Sequence, residues 1–283
     1  MRVLGIDLAW GQGGPGGAPN ETGVVAVDPD GTIVDAGWTR GVADTAAWVQ
    51  RHAEVDTVAM VDAPLVVTNP TGMRECEKEI GRRYGRWKVS ANASNLGLPG
   101  TLAGVRLTSE LVAAGWRVAS GHDGPPLGGR WLYESFPYLA LVGAPELGYD
   151  RERPIYKRKP RHLAPAEFRL ARAANTDEII RRVATRCDPP IALVSHPVTA
   201  ALLDEPTPLS DRPAKHREDL LDAVLCAWTG LLWLRYGLER CQVLGGDDVG
   251  GAGSEGSAPA VVVAPCRPEQ RRPSASRAAT TPR

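Results

Sequence analysis

The chain lacks a net charge: 33 basic and 33 acidic side chains balance over 283 residues. Bulk electrostatics therefore give no argument for a polyanionic partner, and any nucleic-acid contact must come from local patches. Cysteine is scarce and without pattern. Cys76, Cys187, Cys226, Cys241 and Cys266 are odd in number and free of C-x-x-C spacing, which argues against a disulfide framework and a zinc site and fits a reducing cytoplasm. Long hydrophobic runs are missing too, since the longest, Ala223 to Leu234, falls well short of the roughly 20 residues that a membrane span requires. The first residues enter an apolar strand directly, with no charged n-region and cleavage site before it. The expectation is a soluble, cytoplasmic protein with no membrane partner. Internal repeats are absent, as is a hinge between autonomous cores, so the length suits one large domain with insertions.

What is present begins with Val3-Leu4-Gly5-Ile6-Asp7-Leu8-Ala9-Trp10, an apolar strand with a carboxylate near its middle. Glycine-rich residues 11–17 cannot hold regular structure. Strands are expected over Thr22 to Val27 and Thr32 to Trp38, separated by the turn chemistry of Asp28-Pro29-Asp30-Gly31. Asp44 is placed as the cap of a helix through Ala47, Trp48 and His52, and Thr57 to Val61 is the next strand. Three meandering strands, a helix and a returning strand make an α/β plan. Further elements are a charged helix from Met73 to Lys88, a strand around Trp131 to Pro137, a helix from about Pro165 and a last helix from about Lys215 to Tyr236, closed by Gly237. Ala260 to Ala264 reads as a small edge strand. The domain is expected over residues 1–266, with helical and basic insertions at about 66–130 and 150–210, followed by a disordered tail over 267–283.

A carboxylate on a central strand is costly unless a partner or a metal compensates it. Val58-Ala59-Met60-Val61-Asp62 repeats the pattern of the first strand, and neighbouring strands lie about 4.8 Å apart, so acids at matching heights sit close together. Asp219 and Asp222 are three apart, which puts them on one face of the last helix. Mg²⁺ or Mn²⁺ relieves the repulsion of such a cluster, because both take carboxylate and water oxygens. Competing readings are structural: strand-end aspartates capping a loop for Asp7 and Asp62, and first-turn acids favouring the helix dipole for Glu218 and Asp219. The apolar neighbours of Asp222, from Leu220 to Val224, weaken that reading for Asp222. Glu134, in Tyr133-Glu134-Ser135, is placed at the site as a further catalytic acid.

These segments also carry a resemblance. Gly5-Ile6-Asp7-Leu8-Ala9-Trp10, Asp62-Ala63-Pro64-Leu65, Arg74-Glu75-Cys76-Glu77, Tyr133-Glu134-Ser135-Phe136-Pro137 and the helix text from Asp219 to Trp228 together resemble the predicted RNase H-fold nucleases catalogued as domain of unknown function family 429. The resemblance implies an RNase H-like mixed sheet, antiparallel over its first three strands and parallel beyond, flanked by helices. It also implies a metal-ligand plan with one acid on the first strand, one on the fourth and a D-x-x-D pair on the final helix. Those roles fall on Asp7, Asp62, Asp219 and Asp222.

The resulting expectation is a metal-dependent nuclease that hydrolyses phosphodiester bonds with two Mg²⁺ or Mn²⁺ ions, Asp7 bridging them. Lys215 and His216, just before the acid pair, are candidate phosphate or proton contacts. A solvated helix start is the plainer reading of His216. The basic stretches Arg74 to Lys88 and Arg153 to Arg172, with Lys157, Arg158 and Arg161 in the second, are candidates for tracking a nucleic-acid backbone, with Tyr84 or Trp87 stacking on a base. Against this, Glu75, Glu77 and Glu79 can neutralise the first stretch on a solvated helix. Two rivals are an actin-like or sugar-kinase-like ATP-dependent phosphotransferase, which would use residues 11–17 as a phosphate loop, and a catalytically inactive nucleic-acid-binding module. The loop lacks the Lys-Ser/Thr of a Walker motif, and the chain is short for two duplicated kinase domains.

Overall fold

In a computed structural model, residues 1–13, 17–246 and 258–272 are described. The strands are β1 (Arg2–Asp7), β2 (Glu21–Val27), β3 (Ile33–Arg40), β4 (Thr57–Val61), β5 (Arg117–Val118), β6 (Arg130–Glu134), β7 (Cys241–Gly245) and β8 (Val261–Pro265). The helices are α1 (Gly41–His52), α2 (Glu75–Tyr84), α3 (Ala103–Ala113), α4 (Pro137–Gly143), α5 (Pro165–Arg186), α6 (Pro197–Asp204) and α7 (Asp211–Tyr236). Six strands form one sheet in the order β3-β2-β1-β4-β6-β5. β1, β2 and β3 pair antiparallel, whereas β4 joins β1, β6 joins β4 and β5 joins β6 in parallel. This is the mixed α/β sheet that the meander and returning strand imply.

Strand alternation divides the core in two. Val3, Val58, Met60 and Tyr133 face α4, α7 and the β7-β8 pair, while Leu4, Ile6, Ala59, Val61 and Leu132 face α1 and α3. By the same parity Asp7 continues the Val3-Gly5 side of β1 and Asp62 the Val58-Met60 side of β4, toward α7. Helix α7 is buried from Arg217 to Trp233, and from Leu220 onward, Asp222 apart, it is apolar around nearly its whole circumference.

Several boundaries differ from the sequence reading. Helix α1 starts at Gly41 with Arg40 in the cap position, so Asp44 lies in its first turn and not at the cap. Glycine at position 41 meets a φ of +78° that a residue with a Cβ rarely adopts. The expected small edge strand is present as Val261–Pro265, shifted by one residue, paired with β7 in a two-stranded sheet and buried throughout. The expected tail begins later than residue 267: Arg267 and Gln270 are buried, both donate to the Val142 carbonyl, and Arg272 pairs with Glu79. Polar side chains that satisfy buried carbonyls hold this segment where composition alone gives no reason for order. The remainder of the expected tail, 273–283, lies outside the described residues. No helix among the described residues is long and apolar enough to cross a membrane.

Candidate metal centre

The carboxyl ends of the parallel strands carry the acids. Asp7 closes β1, Asp62 directly follows β4 with its N–H donating to the Ile6 carbonyl at 2.8 Å, and Asp222 comes down from α7. Carboxylate oxygens of Asp7, Asp62 and Asp222 lie within 4.8 Å of one another. Three acids from three separate elements thus converge at the place where open α/β sheets hold their ligands. Asp219, one turn before Asp222, shares Lys215 with Asp7 and Glu218: the Lys215 Nζ lies 4.0 Å from Asp7 Oδ2, 3.1 Å from Glu218 Oε1, and pairs with Asp219 Oδ1.

A cleft of about 720 Å³ opens over this cluster. Its lining is mixed in sign, with Asp7, Asp62 and Asp219 beside Arg40, Lys88 and Arg212. Burial raises the carboxyls of Asp62, Asp219 and Asp222, and the neighbouring charge of Asp7 adds to each. Asp222 is pushed up to about 7 and Asp219 to about 8, in both cases despite a lysine partner. Burial works against the charged form of Lys157, yet Asp222, Asp62 and Asp7 hold it protonated well above the ordinary lysine range. A hard divalent ion suits this donor set, because only oxygen ligands converge and their mutual repulsion is incompletely relieved.

Glu134 lines the same cleft, with Arg74 and Glu77, but is not part of the three-aspartate cluster. In the register of the sheet it stands opposite Val61, on the other strand parity from Asp62. Both its oxygens are taken by Arg74, at 2.6 and 2.7 Å, and Oε2 also accepts the Leu65 N–H at 3.1 Å. Arg74 donates further to Glu77 at 2.8 Å, and all three side chains are buried. Burial raises Glu134, with Arg74 working in the opposite direction. The Asp62-Ala63-Pro64-Leu65, Arg74-x-x-Glu77 and Tyr133-Glu134 segments are therefore joined by one structural ion-pair network.

Other candidates scatter. Lys157 is half-buried and lines the cleft, where it pairs with Asp222 and stands near Asp62. Arg158 lines the cleft and donates to Asn92 at 2.8 Å, whereas Arg161 is exposed and is not part of the lining. Lys215 and His216 both line the cleft. His216 is more than a solvated helix start: its Nδ1 lies 2.6 Å from Glu21 Oε2 and its ring stacks on Trp38 at 3.6 Å. Tyr84 and Trp87 are core residues, bonded to the carbonyls of Pro265 and Asp150, and neither offers a face to a base. The basic residues around them are neutralised locally, Lys78 and Arg82 by Glu75, and Lys88 by Glu152. Much of the phosphate loop that the kinase rival requires, residues 14–16, lies outside the described residues.

Two residues without an assigned role in the sequence reading belong here. Tyr156 donates its hydroxyl to Asp222 Oδ1 at 2.8 Å and is fully buried. No local spacing announces a contact across 66 residues. Trp10 lines the cleft with 38 % of its surface exposed. Its signal was legible, a large aromatic three residues beyond Asp7 where the strand has ended. No curated protein and no solved structure matches the chain. A family model described as a protein of unknown function (DUF429) matches residues 5–249, and with most of its length covered the chain belongs to that family.

Proposed function

We propose that the protein is a Mg²⁺- or Mn²⁺-dependent hydrolase of phosphodiester bonds, acting on nucleic acid. The observation that carries this reading is the convergence of the Asp7, Asp62 and Asp222 carboxylates beneath a cleft with basic residues in its wall. Asp7 and Asp62 would hold the divalent ion, with Asp219 and Asp222 beside them. When bound, such an ion polarises a phosphoryl oxygen and lowers the pKa of water. The protein's own groups do the rest. Arg40, Arg212 and Lys215 supply positive charge to orient a phosphodiester over the acids. Glu21 fixes the His216 ring through Nδ1, which leaves Nε2 as a proton donor or acceptor on the cleft wall.

The test is an assay of single-stranded, duplex, hybrid and branched DNA and RNA with either ion. Cleavage by the wild type and its loss in Asp7→Asn and Asp62→Asn are expected. Failure to cut any of these substrates, or undiminished cutting by both variants, would overturn the reading.

A further inference from the structure

Lys157 lies among the carboxylates instead of on the rim. Its ammonium pairs with Asp222 Oδ2 and stands 3.8 Å from Asp62 Oδ2, and only 16 % of the side chain is exposed. Asp222 is fully buried, accepts the Tyr156 hydroxyl on Oδ1, and has no hydrogen-bond donor on Oδ2. Among the described residues, with Lys215 acting on Asp222 from farther away, the ammonium of Lys157 is the cation in contact with that oxygen. The lysine is also fixed from the side, lying 5.4 Å from the Tyr156 ring centre and 5.5 Å from that of Tyr138. Those two rings pack edge to face at 5.1 Å. Lys215, on the Asp7 side of the cluster, differs in kind: 58 % of its side chain is exposed. Its chain has room to move into the cleft, although its partner Asp219 is itself buried, whereas Lys157 cannot leave without stranding Asp222, which has no exposed surface.

We propose that Lys157 is a resident cation of the centre, taking the place of one of the two ions that a four-aspartate cluster would otherwise hold, so that the protein binds a single divalent ion. Asp222 serves as the anchor of Lys157. Asp7 and Asp62 are left to hold the ion, joined by Asp219 when Lys215 moves away. This rests on the metal-centre reading above, and replaces the pair of ions expected from the sequence by one ion and an ammonium. An ammonium relieves carboxylate repulsion as an ion does, but it supplies no bound water and no Lewis acidity.

Titration of Mn²⁺ into the full chain, followed by calorimetry and by the electron paramagnetic resonance of free Mn²⁺, tests the proposal. The wild type is expected to bind one ion. Lys157→Ala is expected to take up a second ion or to bind the first at least roughly tenfold more tightly, since a positive charge close to the site has been removed. Lys157→Arg is expected to remain at one. Two ions in the wild type or in Lys157→Arg would overturn the proposal, as would a folded Lys157→Ala that binds one ion no more tightly than the wild type. Should Lys157→Ala fail to fold, the other two proteins decide. Two ions in the wild type defeat this inference alone, whereas no binding in any of the proteins defeats the metal centre with it.

Discussion

Gly5 on β1 lies against the backbone of Ala223 on α7 so closely that a Cβ at position 5 would sit 2.1 Å from the Ala223 carbonyl oxygen. The same is true of Gly23 on β2, where a Cβ would come within 2.0 Å of the Asp219 carbonyl. Helix α7 thus rests on bare strand backbone, and this close seating fixes the height of Asp219 and Asp222 over Asp7. Here glycine is required for approach, not for an unusual φ.

Replacing Gly23 by Ala should therefore act on both stability and the site. We expect a loss of about 1 to 3 kcal/mol, the range of an overpacked contact, together with weaker Mn²⁺ binding, because the turn carrying Asp219 must lift. Gly37→Ala on β3, where an added Cβ meets nothing within 4 Å, is the control and should change neither. Denaturant unfolding and Mn²⁺ titration of the two variants check this, and equal effects at both positions would refute the seating argument.

Arg74 and Glu134 define a second expectation. With Arg74→Met, the buried carboxylates of Glu134 and Glu77 lose their shared cation, and breaking one side of such a network costs about 3 to 5 kcal/mol. Glu134→Gln keeps two of the contacts and should lower the melting temperature while leaving Mn²⁺ affinity within about twofold, since a change that small is under 0.5 kcal/mol. A Glu134→Gln protein that binds Mn²⁺ much more weakly would add Glu134 to the proposed metal-binding set.

The pH dependence has a definite sign. Asp222 and Asp219 are raised from the ordinary aspartate value to about 7 and about 8, so between roughly pH 4 and 8 the folded, metal-free protein holds more protons than the unfolded chain. Its stability should consequently fall as pH rises through that window. Metal binding has the opposite slope, because the ion must displace those protons. The melting-temperature gain on adding Mn²⁺ should grow from pH 6 to pH 8.5, with proton release on binding at the lower pH. A gain that is flat with pH would show that the aspartates ionise without the ion.

How far the sequence disclosed this centre depends on which physical rule each residue obeys. Asp7 and Asp62 follow from strand alternation and matching height, and the spacing of Asp219 and Asp222 follows from the helical repeat; those rules are local and can be read along the chain. The same alternation would have set Glu134 apart, because in the parallel register it stands opposite Val61, but that register is not visible before the strands are paired. Lys157 and Tyr156 reach Asp222 across more than sixty residues through an irregular segment, and no periodicity encodes such a contact. Tyr84 and Trp87 misled because burial is decided by the fold and not by neighbours in sequence: Tyr84 is on the inward face of amphipathic helix α2, and Trp87 turns inward from the 3-10 turn that follows it.

Trp10 gives the last expectation, and it concerns substrate instead of metal. The residue is 38 % exposed and lines the same cleft as Asp7 and Asp62, whereas the aromatics first considered for base stacking are buried. If the cleft binds a phosphodiester as proposed, an exposed indole beside it would offer a stacking face for a base, worth about 1 to 3 kcal/mol by alanine substitution. Trp10→Ala should accordingly weaken binding of a short single-stranded oligonucleotide by about 5- to 150-fold, the equivalent of that energy, while Mn²⁺ affinity and melting temperature stay unchanged. Trp10→Phe should recover part of the loss, because a smaller ring still stacks. Fluorescence anisotropy of a labelled oligonucleotide, measured in Ca²⁺ to avoid turnover, reads both effects. Equal affinity in wild type and Trp10→Ala would place the bases elsewhere and leave Trp10 as a rim residue without a role in binding.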